Sequence, residues 1–418
     1  MRSAKLSPPL LGLFWLGIQL VWGALLGISL QARSAELSPG NVLTAFALIA
    51  SIGPIVAAVA QIASGVFSDV RRSAGDNRAR FYFIGAGVAS VGIVWFYRAP
   101  SFAQLFAATM LVQLAMNFAI AAYQAAIPDF VPVSRQGNAS AWMAGLQGIG
   151  NASGAVAASF IPSPLTAGIV IALALVFTAI VTGVHVMRLP LRDVQTERLR
   201  ISRTLVDLLV SRALLFLGFY TLLDYLDFYV AQALHQTAAQ AKTHTGVLLL
   251  LFTVAGAIGA AFAARPADRY DRRYVAMTGA LLFAAALTIF VYVENFSAIA
   301  TCAIVAGIAW GVMLTADWAL GSALLPKSAL ATAMAIWNLA LIVPQIAAPA
   351  LTTAILGALH LLQSPQGVRT AFIAAAIEVI AGALWLLRLP AWRIECELLV
   401  VGNTANGCCF KGELKEGP

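Results

Sequence analysis

Residues 123–142 read YQAAIPDFVPVSRQGNASAW. Two prolines, an aspartate, an arginine and a glycine interrupt a chain of 418 residues that is 61% hydrophobic and only 11% charged. Soluble domains carry about 25% charged residues, so there is too little polar material here to cover a water-facing surface. Apolar runs of about 20 residues, long enough to cross a bilayer as a helix, recur along the whole length. They are continuous and do not alternate, which predicts membrane helices and argues against a β-barrel. The quoted stretch then reads as a break between two spans.

Twelve spans are expected, at roughly 9–30, 41–67, 81–97, 102–128, 141–162, 165–187, 211–232, 246–264, 275–293, 297–324, 331–357 and 369–388. The first run is too long for a signal peptide and lacks a small-residue cleavage site, so it counts as a span. Of the 26 Lys and Arg, only Arg33, Arg98, Lys242 and Arg369 fall on the side opposite the N-terminus. The positive-inside bias therefore predicts both termini in the cytoplasm, in a plasma (inner) membrane. The net charge of +8 is accounted for by that topology and calls for no nucleic-acid partner.

The chain repeats itself. GVFSDVRRSAGDNRAR (65–80) after span two is echoed by ARPADRYDRR (264–273) after span eight, with Asp69 and Asp268 199 residues apart. The opening stretch also returns: Pro132 leads to Trp142 as Pro326 leads to Trp337, with the tryptophans 195 residues apart. Two landmarks at similar offsets define an N-terminal six-helix half (1–187), a charged linker (188–210), a C-terminal half (211–390) and a tail (391–418) expected to lack order. Two such halves around a central site are a recurrent transporter plan.

Polar residues inside spans are costly in lipid and normally face protein or a water-filled cavity. Trp15, Gln19 and Trp22 share a face of span one, and Gln113, Asn117 and Gln124 a face of span four. Tyr220, Asp224 and Asp227 do so in span seven, and Trp310 and Asp317 in span ten. Gln147, Asn151, Asn338 and Gln345 add polar groups in spans five and eleven. This is the distribution expected of a cavity lined by spans one, four, seven and ten; packing between helices is the alternative.

Other chemistry is sparse. Cys302, Cys396, Cys408 and Cys409 have no metal-ligand spacing, and the four histidines form no constellation. Asn138-Ala-Ser140 and Asn151-Ala-Ser153 fit a glycosylation pattern but fall inside or in the membrane, and read as chance. No nucleotide-binding motif is present. No cofactor, no metal and no enzymatic activity are expected.

Gly65, Ser68 and Asp69, followed by Arg71, Arg72, Arg78 and Arg80, resemble the signature of the major facilitator superfamily. The loop is a loosened form, ending Gly75-Asp76-Asn77-Arg78-Ala79-Arg80. The resemblance implies an all-α membrane protein of twelve helices in two pseudo-symmetric halves, working by alternating access. A narrower set is similar to the glycoside–pentoside–hexuronide symporters and the sucrose-transporter-like carriers. It comprises Tyr123-Gln124, Pro128-Asp129, Val131-Pro132, Arg135, Gly137, Ala139-Ser140, Trp142, Asp317-Trp318, Leu325-Pro326, Trp337-Asn338 and Pro344-Gln345. Melibiose-type sodium carriers have acids in helix two; 41–67 here has none, which puts that sodium site in doubt.

These readings combine into expectations. A small organic solute, best a sugar or glycoside, is expected to meet Trp15, Gln19, Trp22, Gln113, Asn117, Gln124, Tyr220, Asp224, Trp310, Asn338 and Gln345, since aromatic faces and amides suit hydroxyl-rich rings. An amphipathic solute or a non-transporting sensor or lipid-handling role is the alternative. The proton is the expected coupling ion, at Asp317, Asp224 or Asp227. Asp69, Arg71, Arg72, Asp129, Arg135, Asp268 and Arg269 are expected to form a cytoplasmic gate of charge-assisted pairs. Prolines 128 and 132 are expected to end helix four, and Gly137 to permit a tight turn. The protein is expected to act as a monomer, with the lipid bilayer as its surroundings.

Overall fold

The structure is a computed structural model that describes residues 6–38, 42–190, 199–361, 365–397 and 409–414. The linker and the tail thus lie partly outside the described residues. The helices run α1 (Pro8–Ala24), a π-helical turn (Leu25–Ser29), α2 (Leu30–Leu37), α3 (Val42–Ser73), α4 (Ala79–Arg98), α5 (Phe102–Gln124), α6 (Ala126–Phe130), α7 (Gln136–Phe160) and α8 (Pro164–Met187). They continue as α9 (Arg203–Ala233), α10 (Ala238–Arg269), α11 (Arg272–Phe290), α12 (Phe296–Leu324), α13 (Leu330–Ala358) and α14 (Pro365–Trp385).

Eleven helices among the described residues are long and apolar enough to cross a membrane. The expected fifth span is α7, fully helical but interrupted by Gln, Asn, Ser and Gly. Large apolar side chains face outward as well as inward; Val91, Leu173, Phe177 and Phe262 are all more than 60% exposed. Apolar surface on the outside as well as in the core is what lipid, as a solvent, selects. The chain is a multi-pass helical membrane protein.

The helices fall into two compact units: Met1–Phe130 with Gly145–Arg200 and Leu325–Ile342, and Val131–Ala144 with Ile201–Leu324 and Val343–Pro418. Each unit has the same pairings. In the first, α4 packs on α5 and α8, α3 on α5 and α1 on α8. In the second, α11 packs on α12 and α14, α10 on α12 and α9 on α14. The sequence repeat is therefore a structural repeat.

The units differ from the sequence halves in two segments. Residues 131–144 join the second unit and 325–342 the first. The reason is hydrogen bonding: Asp69 accepts from the backbone of Ala331 and Thr332, and Asp268 from that of Gly137 and Asn138.

The opening stretch is more structured than a hinge loop. The fourth span stops at Gln124, and Ala126–Phe130 is a short helix with Pro128 in its first turns, where a missing N–H costs little. A 3-10 turn, Val133–Arg135, leads into α7 at Gln136. Its echo is the 3-10 turn Lys327–Ala329 before α13. The tail, expected to lack order, contains two strands, β1 (Trp392–Glu397) and β2 (Cys409–Leu414), paired antiparallel with Trp392 opposite Leu414. Six-residue strands give too short an alternation to stand out in sequence.

Candidate functional site

The two basic segments are largely helical. Helix α3 continues to Ser73 and α10 to Arg269, so Asp69 and Asp268 sit in or near the last turns of long helices. In the first unit Asp69 is buried, and its Oδ1 accepts from the Ala331 amide at 2.9 Å. Its Oδ2 accepts from the Thr332 amide at 2.8 Å and the Thr332 hydroxyl at 2.7 Å. The first amides of a helix have no intrahelical partner, and a carboxylate there also meets the positive end of the helix dipole. Asp69 therefore holds the N-terminus of α13.

Arg78 completes this cluster. Its guanidinium donates to Asp129 at 2.8 Å, to the Ser68 hydroxyl at 2.6 Å and to Asp69 at 3.0 Å. Arg72 lies 3.7 Å from Asp129. Burial opposes the charge on Arg78, but Asp129 and Asp69 outweigh it and hold its pKa above the ordinary value. Its backbone has φ 66°, a left-handed conformation rare for a bulky residue and kept only where the surroundings impose it.

The second unit repeats the device. Asp268 accepts from the amides of Gly137 at 2.6 Å and Asn138 at 3.0 Å, in the first turn of α7. Arg272, fully buried, donates to the carbonyls of Val133 at 2.6 Å and Ala319 at 2.8 Å and to Gln136 Oε1 at 3.2 Å. Gly137 serves close approach and not a turn: a Cβ there would lie 2.7 Å from the Ala267 carbonyl carbon. Its counterpart Gly65 would bring a Cβ to 2.8 Å from the Ala331 carbonyl oxygen. A carboxylate on a neighbouring helix's N-terminus, with a glycine at the crossing, thus occurs once in each unit. Of the other expected gate residues, Arg71 lies over the Phe67 ring at 5.9 Å, and Arg135 and Arg269 are exposed.

The expected solute residues separate into groups. Gln113 and Asn117 are buried in an amide network, with Gln61 Nε2 donating to Asn117 Oδ1 at 2.6 Å and Asn117 Nδ2 to the Gln113 carbonyl at 2.7 Å. Gln124 is fully buried. Two of the expected aromatic residues pack against other rings. Trp15 lies against Tyr123, whose hydroxyl donates to the Leu11 carbonyl, and Trp310 stacks on Phe219 at 4.2 Å between centroids. Helical spacing put these tryptophans on one face with the polar groups, but neighbouring rings fill that face. Gln19, Trp22, Tyr220 and Asn338 are half-buried, and Asp224 and Gln345 are exposed.

The coupling candidates also divide. Asp317 is buried and paired with Arg212, whose guanidinium stands 4.7 Å over the Phe216 ring. Sequence counting had left Arg212 among the loop cations; the structure makes it the partner of Asp317. Asp227 accepts from the Thr245 hydroxyl at 3.0 Å. Asp224 belongs to no ion pair among the described residues. No cluster of metal-ligating residues occurs among the described residues.

The fold and these clusters define a class, a helical membrane protein with the major facilitator fold. Residues 208–395 match the family model described as Major Facilitator Superfamily. No curated protein matches the sequence. Among solved structures, the human organic anion transporter superposes with a TM-score of 0.68 at 12% identity, covering 91% of this chain and 98% of that one. A bacterial homologue of the iron transporter ferroportin in its outward-facing state gives 0.68 at 14%, covering 92% and 99%. The proton:xylose symporter gives 0.68 at 13%, covering 92% and 95%. At 12–14% identity these matches show a shared fold.

Proposed function

We propose that the protein is a secondary active transporter of a small organic solute that works by alternating access, with a sugar or glycoside as the solute and the proton as coupling ion. The observation that carries this reading is the repeated clamp: Asp69 on the N-terminus of α13 and Asp268 on that of α7. Carboxylate-to-amide contacts between separate helices are strong when closed and are replaced by water when open, as a two-state gate requires. By the positive-inside bias, the end carrying these clamps is cytoplasmic, both termini are inside, and the membrane is the plasma (inner) membrane. The carrier acts as a monomer.

The sugar reading draws on the branch motifs, on the amides and on the proton:xylose and fucose:proton symporters among the similar structures. Gln19, Trp22, Tyr220, Asn338 and Gln345 are the residues proposed to meet the solute. Asp224, exposed and outside any ion pair among the described residues, is the first coupling candidate. The aromatic rings packed around Trp310 favour a second reading, an exporter of amphipathic solutes.

A thermal-shift screen of sugars, glycosides and organic anions on purified protein tests the choice. A ligand that binds the folded state raises the melting temperature with its concentration. Stabilisation by a neutral sugar supports the reading. Stabilisation by amphipathic anions alone replaces it with the second.

A further inference from the structure

Glu378 stands on α14, outside the polar stripes. It is half-buried, turned toward the protein, and accepts from the Thr221 hydroxyl of α9 at 3.2 Å. Thr221 in turn lies 3.3 Å from the Thr352 hydroxyl of α13, and both threonines are fully buried. One carboxylate and two hydroxyls thus form a chain across three helices of the second unit.

No Lys, Arg or His pairs with Glu378 among the described residues. The faces packed around it bring little charge. On α9, Asp224, one turn from Thr221, is exposed and Arg212 is paired with Asp317, while Asp207 accepts from Trp385 Nε1, Tyr225 reaches the Thr353 hydroxyl, and the Tyr229 hydroxyl donates to the carbonyls of Phe290 and Val293. On α11, the cations are Arg272 and Arg273 at one end, held by the Ala267 carbonyl and by Asp271. The 343–358 part of α13 has no titratable side chain. On α14 itself, Arg369 is paired with Glu294, more than two turns away. An ionised carboxylate at mid-span without a cation is expensive, and a hydroxyl chain is the arrangement that accepts either protonation state. With Glu378 ionised, the chain donates toward it; with Glu378 protonated, Glu378 donates to Thr221, and Thr221 can donate to Thr352.

We propose that Glu378, Thr221 and Thr352 form a proton-binding site separate from the solute residues, whose occupancy is read by α13. That helix contains Pro344 and Pro349, each of which removes a backbone hydrogen bond and lets the helix bend. The boundary between the compact units falls between Ile342 and Val343, beside Pro344. Reversal of the hydroxyl chain at Thr352 acts on the part of α13 that follows these prolines. The site deepens the proton-coupled reading and rests on it for its role in transport.

The test uses the full-length protein in lipid vesicles and needs no transported solute, so its failure is distinct from failure of the transport reading. Infrared difference spectroscopy is run across the neutral pH range on the parent, E378Q and T352V. The parent is expected to show a protonated-carboxyl carbonyl band that titrates, is absent in E378Q and is shifted in frequency in T352V. Hydrogen exchange of peptides from 343–358 is expected to change with pH beyond the intrinsic chemical dependence in the parent and to lose that excess in E378Q. Identical parent and E378Q spectra would overturn the site. A titrating band with no accompanying change in α13 exchange would overturn the coupling to that helix. T352V keeps Glu378 in place and reads the chain independently should E378Q fold poorly.

Discussion

Asp69→Asn probes the clamp with the smallest change of shape. The carboxylate receives at least four donors: the Ala331 amide and Arg78 on Oδ1, and the Thr332 amide and hydroxyl on Oδ2. An asparagine keeps one oxygen and turns an NH2 group toward the other pair of donors, so two of the four interactions are lost. Hydrogen bonds to a charged group contribute about 1.5–3 kcal/mol each, so the low end gives about 3 kcal/mol. At about 1.4 kcal/mol per factor of ten, the opening of the α13 N-terminus becomes roughly a hundredfold more populated. Arg78 remains held by Asp129 at 2.8 Å, so the cluster does not collapse. The assay is hydrogen exchange by mass spectrometry on peptides covering 330–342, where faster exchange reports the opening. Asp268→Asn should do the same to 136–144 and leave 330–342 near the parent rate. Unchanged exchange at 330–342 in Asp69→Asn, in a protein of parental thermal stability, would refute the reasoning.

Gly65→Val places a side chain against the Ala331 carbonyl oxygen, where even a Cβ would sit at 2.8 Å; protection of 330–342 should fall as in Asp69→Asn, and parental protection would show that the crossing tolerates bulk. Asp317→Asn leaves Arg212 buried without its charge partner, which costs about 3–5 kcal/mol; thermal unfolding should drop clearly, and should recover when both are replaced by apolar residues of similar volume. Asp224→Asn should keep solute exchange between the two faces of a vesicle but lose accumulation driven by a pH gradient, because exchange needs no net proton movement. Accumulation at the parental level would remove Asp224 as the coupling site.

The spans were legible because a bilayer demands about 20 apolar residues in a row, and the repeat because Asp69 and Asp268 stand in the same charged context. The fifth span was read slightly short, since Gln136 to Ser140 are polar yet helical, fixed by contacts to Asp268 and Arg272. The clamps were half legible. The acids stood out, and Arg78 stood among the signature arginines, but Arg212 and Arg272 looked like any loop arginine, and only the fold shows which guanidiniums turn inward. For Trp15 and Trp310 a helical stripe gives a direction without saying that Tyr123 and Phe219 pack against them. Gly137 was read as a turn residue because local sequence carries no sign of the Ala267 backbone, 130 residues away in the chain.

Solute counterflow in reconstituted vesicles tests the central claim most directly. Vesicles are preloaded with unlabelled xylose, fucose, a glycoside or an organic anion, and entry of the labelled solute is followed. The account predicts that at least one neutral sugar accelerates its own entry, and that Asp69→Asn changes the rate while leaving the half-saturating concentration near the parental value. Absence of counterflow across the whole panel, by protein whose exchange protection shows both clamps intact, would contradict it and point to a scaffold that senses without carrying.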